Sequence, residues 1–189
     1  MVPGTISGII WKADWERETE MRKGIFYILG VYILGIWGAA FGETFETFRG
    51  IQWGADKKEV SGLTAGPQRE NVEVYTRNED KKVGDIDVES IYYVFYKGKF
   101  GAAMINFQGA SRFSVLKEAL RQRYGTGEKP DPSGEKYTWD LRDLKIILSF
   151  SPGKGNGSID YFYQPIVQQR EKDKTKAGQQ STQKRIDDL

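Results

Sequence analysis

Residues 90–107 read SIYYVFYKGKFGAAMINF, and this stretch decides the fold. Two apolar runs rich in β-branched and aromatic residues flank the turn at Lys97-Gly98-Lys99, which predicts a β-hairpin. Alternate residues of a strand point to opposite faces. The first run therefore has two distinct faces: Ile91, Tyr93 and Phe95 lie on one, and Tyr92, Val94 and Tyr96 on the other.

Outward from this hairpin the chain alternates between strand and helix signals. Helix 57–63 is expected after an N-cap at Asp56, and helix 111–124 is expected from apolar residues at helical spacing that end at Gly125. Further extended segments are predicted at 44–52, 72–76, 83–88, 136–141, 144–150 and 158–163. Short connections favour antiparallel pairing.

These elements predict an α+β fold in which an antiparallel sheet carries two helices on one face. A weak internal repeat is a further possibility. Phe48-Arg49-Gly50 and Phe107-Gln108-Gly109 each precede a predicted helix that leads into strands.

One face of this sheet is densely apolar and is expected to pack on the helices. The opposite face is mixed, and we predict a partner surface there, formed by Tyr92, Val94, Tyr96 and Ile147. Tyrosine on a solvent-facing sheet suits recognition because its ring is apolar and its hydroxyl is polar. The alternative is ordinary surface, since tyrosine is also a good strand former.

Composition excludes several classes of site. The 189 residues contain no cysteine and no histidine, and the net charge is only +2. Thiolate nucleophiles, Ser-His-Asp triads and nearly all catalytic zinc sites are therefore absent. The low charge gives no reason to expect a nucleic-acid partner. We expect no cofactor and no catalytic residue.

The segment 21–42 has the three-part layout of a signal peptide: a basic start, an uncharged apolar run and small residues at the end. The best cleavage site lies between Gly42 and Glu43. An uncleaved membrane anchor is the alternative, because the run is near the lower limit for a span. Residues 1–20 are net negative and fit no export signal, so translation is expected to start at Met21.

The exported part divides into two regions. Residues 43–167 are predicted to form a single α+β domain, which is long enough for one core. Residues 168–189 are polar and carry almost no apolar side chains. Such a stretch cannot offset its ordering entropy by burial, so a disordered tail is expected.

The run Gly54-Ala55-Asp56-Lys57-Lys58-Glu59-Val60 resembles the opening of the outer-membrane assembly lipoproteins of the BamE type. Their fold is shared with the β-lactamase inhibitor protein. The layout also resembles uncharacterised secreted proteins of Gram-negative bacteria, which carry Phe-Arg-Gly-Ile-x-Trp-Gly near the mature N-terminus, as residues 48–54 do here. This chain lacks the lipidated cysteine of the assembly lipoproteins. The resemblance implies a helix-plus-sheet fold and an envelope location, and it implies no catalytic residue.

Asp85, Asp87 and Glu89 alternate within the predicted strand 83–88 and its end. On one strand face they would lie ~6.5–7 Å apart. Such oxygen-rich clusters suit Ca²⁺, and paired carboxylates suit glycoside hydrolysis. The plainer interpretation is a solvated strand face.

Two functions follow from these patterns. The leading hypothesis is a non-catalytic exported protein, periplasmic or secreted, that binds a protein or envelope partner through the open sheet face. The runner-up is a small extracytoplasmic enzyme, or a carbohydrate- or Ca²⁺-binding module, that uses Asp85, Asp87 and Glu89. Contact with a membrane is expected only if the signal segment stays uncleaved.

Overall fold

The computed structural model of the chain describes residues 46–187. The predicted leader (1–20), the signal segment (21–42) and its cleavage site at Gly42 and Glu43 lie outside the described residues. Within them there are two helices, α1 (Ala110–Tyr124) and α2 (Gln164–Asp187), and one 3₁₀ turn (Lys57–Glu59). The strands are β1 (Thr47–Phe48), β2 (Ile51–Gln52), β3 (Leu63–Arg69), β4 (Val72–Arg77), β5 (Lys82–Val83), β6 (Ile86–Asp87), β7 (Ser90–Tyr96), β8 (Lys99–Gln108), β9 (Glu135–Asp140), β10 (Leu144–Ser151) and β11 (Asn156–Tyr163).

Seven strands form the main sheet in the order β3-β4-β7-β8-β11-β10-β9, and every neighbouring pair is antiparallel. The predicted central hairpin is β7–β8, in which Tyr96 pairs with Lys99. Its two turn residues, Lys97 and Gly98, have φ angles of 50° and 75°. Two positive φ angles are typical of the type I′ turn, whose twist matches the twist of the flanking strands.

The prediction of an α+β fold with an antiparallel sheet and two helices is confirmed. Helix α1 agrees with the predicted helix 111–124 to within one residue. The predicted helix 57–63 is instead the single 3₁₀ turn. Asp56 caps it as expected, because its Oδ1 atom accepts a hydrogen bond of 3.0 Å from the Lys58 amide. Gly62, at a φ of 75°, then redirects the chain into β3.

Strand β3 has no counterpart among the predicted strands. This edge strand contains Pro67 and a register shift between Ala65 and Gln68, and most of its side chains are exposed. It therefore lacks the apolar alternation by which strands are recognised. Proline and irregular pairing are features of edge strands, where they discourage pairing with another chain.

The predicted disordered tail is wrong for residues 168–187, because α2 extends from Gln164 to Asp187. Composition alone suggested disorder, but contacts with the sheet stabilise the first part of this helix. Val167 is 5% exposed, and Ile166 packs against the backbone of Gly101 in β8. The folded region thus extends past the predicted boundary at residue 167.

Helices α1 and α2 lie on opposite faces of the sheet. The two predicted helices, 57–63 and 111–124, were expected on one face, and α2 was not among them. The first face carries Tyr93 and Phe95 and joins the buried side chains of α1 in one hydrophobic core. The second face carries the alternate residues Val94 and Tyr96. The Tyr96 hydroxyl donates to Asp173 of α2, which places this helix on the second face.

The β1–β2 hairpin completes the core on the first face. The Phe48 ring lies 5.7 Å from the Tyr93 ring and 5.1 Å from the Tyr161 ring, measured between centroids. Trp53 stacks on Phe100 at 4.6 Å with an interplanar angle of 4°. Residues 48–54, which carry one of the resemblances, therefore have a packing role here.

The two segments of the possible internal repeat lie in different settings. Phe48-Arg49-Gly50 enters the turn between β1 and β2, whereas Phe107-Gln108-Gly109 leads from β8 into α1.

Arg49 has a specific anchoring role. Its guanidinium donates to the backbone oxygens of Lys82 at 2.7 Å and Asp80 at 3.0 Å, which connects the β1–β2 hairpin to the start of β5 and the loop before it.

Gly157 in β11 pairs with Phe107 on one side and Phe150 on the other. A Cβ atom at this position would lie 2.4 Å from Cζ of Phe107 and 2.5 Å from the backbone oxygen of Ser149. The two phenylalanine rings are nearly parallel, with centroids 6.4 Å apart. Glycine is therefore required at this position for the rings to close over the strand.

We predict that Gly157→Ala destabilises the domain by about 1–3 kcal/mol, because overpacking forces the rings or the strand to move. Urea unfolding measures the change. Gly153→Ala is the matched control, since nothing lies within 4 Å of a Cβ atom there. Equal stability of the two variants would contradict the packing argument.

Candidate functional site

Cross-strand register brings three rows of residues side by side on the second face, each spanning β7, β8, β11, β10 and β9. The row nearest the β7–β8 turn consists of Val94, Ala102, Phe162, Lys145 and Asp140. The next, here called the tyrosine row, consists of Tyr92, Met104, Asp160, Ile147 and Thr138. The third, the serine row, consists of Ser90, Asn106, Ser158, Ser149 and Lys136.

Helix α2 changes the predicted partner surface. Val94 is 3% exposed, and Tyr96 is buried with its hydroxyl bonded to Asp173 Oδ2 at 2.9 Å. These two residues are therefore not available as surface, which corrects the prediction for them. Tyr92 and Ile147 are half-buried and lie together in the tyrosine row. The reason is that the tail, expected to be disordered, folds over the other half of this face.

The anchoring contacts of α2 lie at the end of the sheet where β7 turns into β8. Ile166 touches Gly101, and Asp173 bonds with Tyr96 and Lys97. The tyrosine and serine rows lie progressively farther from that turn. We call these two rows together the patch. With strands about 4.8 Å apart, five strands make each row ~19 Å long.

Hydrogen bonds connect the polar side chains of the patch. Asn106 Nδ2 donates to Ser90 Oγ at 2.9 Å. Ser149 and Ser158 share a hydrogen bond of 3.1 Å between their hydroxyl oxygens. Ser158 Oγ also donates to Asp160 Oδ2 at 3.0 Å. The serine row is thus linked through β11 to the carboxyl group in the tyrosine row.

Asp160 is the most unusual residue of the patch. Its Oδ1 atom is buried and has no hydrogen-bond donor within the protein, although Oδ2 is bonded to Ser158. Its cross-strand neighbours are Met104 and Ile147, both apolar. Desolvation raises the pKa of Asp160 from its ordinary value of 3.8 to about 6, and the Ser158 bond opposes this shift. A carboxyl with one unused acceptor is expected to attract a hydrogen-bond donor.

Lysine side chains flank the patch at β9 and β10. Lys136 ends the serine row, and Lys145 lies in the adjacent row, 3.6 Å from Asp140 by the Nζ–Oδ1 distance. The Lys145 side chain is only 11% exposed. The patch therefore combines a central carboxyl, several hydroxyls and apolar side chains, with two lysines at its edge.

The acidic residues Asp85, Asp87 and Glu89 are not brought together on one strand face. Residues 82–87 form the small β5–β6 hairpin, and Asp85 follows Gly84 in its turn. All three are exposed, and Asp87 lies 3.9 Å from Lys82. Within residues 46–187 no group of three acidic side chains is arranged to hold a metal ion.

Apart from Tyr92 and Ile147, the residues of the patch are not among those predicted from the sequence. Asp160, Ser158 and Ser149 do show a signal, because polar residues alternate with Ile159 and Tyr161 in β11 and with Leu148 and Phe150 in β10. The pairing of Asp160 with Met104, from a strand far away in sequence, is not visible without the register.

No protein-family model, curated protein or solved structure was found to match this chain. The resemblances noted from the sequence therefore stay predictions. Among the described residues, no helix combines the length and the apolar character needed to span a membrane.

The raised pKa of Asp160 predicts a specific pH dependence. The folded chain holds the Asp160 proton more tightly than the unfolded chain does. The associated stability is therefore complete below about pH 4 and is lost as the pH rises through about 6. The Asp160→Asn variant has no titratable group at this position, so it should not lose this stability as the pH rises. Between about pH 4 and pH 7, the free energy of unfolding of the wild type should fall by about 2 kcal/mol relative to this variant.

Chemical denaturation at a series of pH values measures this difference. Ser149→Ala is the control, because it perturbs the same hydrogen-bonded group and removes no titratable side chain. Its profile should keep the shape of the wild-type profile. Parallel profiles for the wild type and Asp160→Asn would show that the carboxyl is not held in an unfavourable environment.

Proposed function

We propose that this chain is an exported, non-catalytic binding module, periplasmic or secreted, that holds a protein partner on the patch. Two independent features support the proposal. Residues 21–42 have the composition of a signal peptide. The patch combines half-buried apolar side chains with polar groups that still have bonding capacity, as recognition surfaces do.

The unused Oδ1 atom of Asp160 is the observation that carries this proposal. A buried acceptor without a donor is costly to the free protein. A partner that supplies an N–H group removes that cost and gains a charge-assisted hydrogen bond. Binding is then favoured because it removes the free-energy cost of the unpaired acceptor, in addition to the contact area that it buries.

The surroundings of Asp160 suit a protein partner in particular. Ile147 is adjacent to Asp160 in the tyrosine row, and Tyr92 lies on the other side beyond Met104; both Tyr92 and Ile147 are half-buried. Tyrosine is enriched at protein interfaces because its rigid ring gives a large contact area at little entropic cost. We expect the partner to supply an arginine or lysine, which would reach the buried Oδ1 atom once the side chains over it move aside.

A small extracytoplasmic enzyme or carbohydrate-binding module is the competing function. The raised pKa of Asp160 favours it, because a carboxyl that titrates near 6 suits a general acid. Glycoside hydrolysis, however, ordinarily uses two carboxyl groups. Asp160 is the one acidic residue in the two rows of the patch, which supports binding over hydrolysis.

Export is tested by the mass of the mature protein. We expect the chain expressed in a Gram-negative host to start at Glu43 and to be recovered from the periplasm or the medium. The reason is that small residues precede this position at the end of the apolar run. A chain that retains Met1 would refute export, and one that starts at Met21 and fractionates with membranes would support the anchored form.

Binding is tested by site-specific cross-linking in intact cells. A photo-reactive amino acid at Tyr92 should give an adduct of defined mass with a protein. The same probe at Val115 is the control, because this residue is 53% exposed on α1, which packs on the other face. Asp160→Asn in the Tyr92 probe strain should reduce the adduct about tenfold or more, as loss of a charged hydrogen bond implies.

A second variant separates the patch from general charge effects. Asp87→Asn also removes one carboxylate, but on the exposed β5–β6 hairpin, and should leave the adduct unchanged. The proposal fails if position 115 yields the same adduct as position 92. It also fails if Asp160→Asn leaves the yield as high as Asp87→Asn does.

A further inference from the structure

Helix α2 consists of two unlike halves. In the first half, Val167 is buried and Ile166, Arg170 and Asp173 are half-buried. Every side chain that the structure describes in residues 174–187 is exposed. The helix therefore rests on the sheet through its first ten residues only, and the remainder extends into solvent.

The docked half uses one helix face. Ile166, Val167, Arg170 and Asp173 are spaced i, i+1, i+4 and i+7, which places them on one side of a helix. Only the first two of them are apolar. In proteins, most of the stability of a helix comes from tertiary packing of one face and not from its intrinsic propensity. Formation of α2 and its docking on the sheet are therefore coupled.

A notch in the sheet receives the apolar pair. A Cβ atom on Gly101 would lie 2.5 Å from Cγ2 and 3.0 Å from Cβ of Ile166. Ile166 therefore occupies the space that a side chain at position 101 would need. Val94 and Ala102 pair with each other beside this contact, and Ala102 is 4% exposed. The absence of a side chain at Gly101 therefore creates a specific docking position for an apolar side chain of a helix.

A polar clasp holds the other end of the docked half. Asp173 Oδ2 accepts hydrogen bonds from the Tyr96 hydroxyl at 2.9 Å and from Lys97 Nζ at 2.6 Å. Gln169 donates to Oδ1 at 2.9 Å and orients the carboxylate. Lys97 is about half exposed, so solvent and salt weaken this part of the clasp.

We propose that α2 is a reversible cover: it occupies a helix-binding groove formed by Gly101, Val94, Tyr96 and Lys97, and its release opens this groove to a partner helix. Such a helix would present an adjacent apolar pair and an acidic residue six or seven positions later, as α2 does. The groove adjoins the tyrosine row, so release enlarges the binding face. This regulatory role rests on the proposed function, whereas the groove itself can be tested without a partner.

The probe is a fluorescent synthetic peptide of residues 164–187. Asp173→Asn in the protein weakens the clasp and leaves the groove intact, so the peptide, which keeps Asp173, should bind. The wild type should bind it at least tenfold more weakly, because its own helix competes at a high effective concentration. Gly101→Ala fills the notch and should abolish peptide binding, although it too loosens α2. Fluorescence anisotropy measures binding of the peptide to the wild type and to the two variants.

Hydrogen exchange monitors the cover in the same proteins. In both variants residues 164–173 should exchange about tenfold faster or more, while Leu144–Ser151 and Ala110–Tyr124 keep their protection. Asp187→Asn, a matched change in the solvent-exposed half of α2, should leave residues 164–173 at the wild-type rate.

Three results would overturn the proposal. The first is that the peptide fails to bind the Asp173→Asn protein. The second is unchanged exchange in residues 164–173 of that variant. The third is loss of protection in Leu144–Ser151 together with α2 in that same variant, which would make the helix an integral part of the fold. None of these results depends on the cross-linked partner, so failure of the cover and failure of the proposed function are distinguishable.

Discussion

The antiparallel register of β7, β8, β11 and β10 is the constraint on which the rest of the structure depends. It places Tyr93, Ile105 and Ile159 in the core and the residues between them on the opposite face. A slip by one residue in β11 would turn the Asp160 carboxyl into the aromatic core. Gly157, enclosed by Phe107 and Phe150, fits at one position of this register. The same pairing that builds the core therefore also assembles the patch.

Local patterns predict the parts of the fold that are local. The hairpin of residues 90–107 follows from alternation and its turn, and α1 follows from the spacing of Phe113, Leu116 and Leu120. The edge strand β3 could not be predicted because its side chains are mostly exposed and do not alternate between apolar and polar. Helix α2 escapes because its stability comes from the notch at Gly101 and not from its own composition.

Only some residues of the patch could be predicted from the sequence, for a similar reason. Tyr92 and Ile147 were recognised because they alternate with core residues in their own strands. Val94 was placed on the surface because nothing in a strand shows that a distant helix will cover it. Asp160 draws attention only when Met104 and Ile147 are known to flank it. Its carboxyl then stands out as a group that weakens the fold at neutral pH, which is typical of functional positions and untypical of structural ones.

The β1–β2 hairpin has a consequence for the time course of folding. Phe48 comes from the beginning of the domain, but its ring packs against Tyr161 from the last strand of the sheet. Contacts between such distant parts of a chain form slowly, because a large loop must close before they stabilise anything. The core therefore cannot close around Phe48 until β11 is also present. In a chain synthesised from its N-terminus, the native core is therefore completed only when translation of the domain is nearly finished.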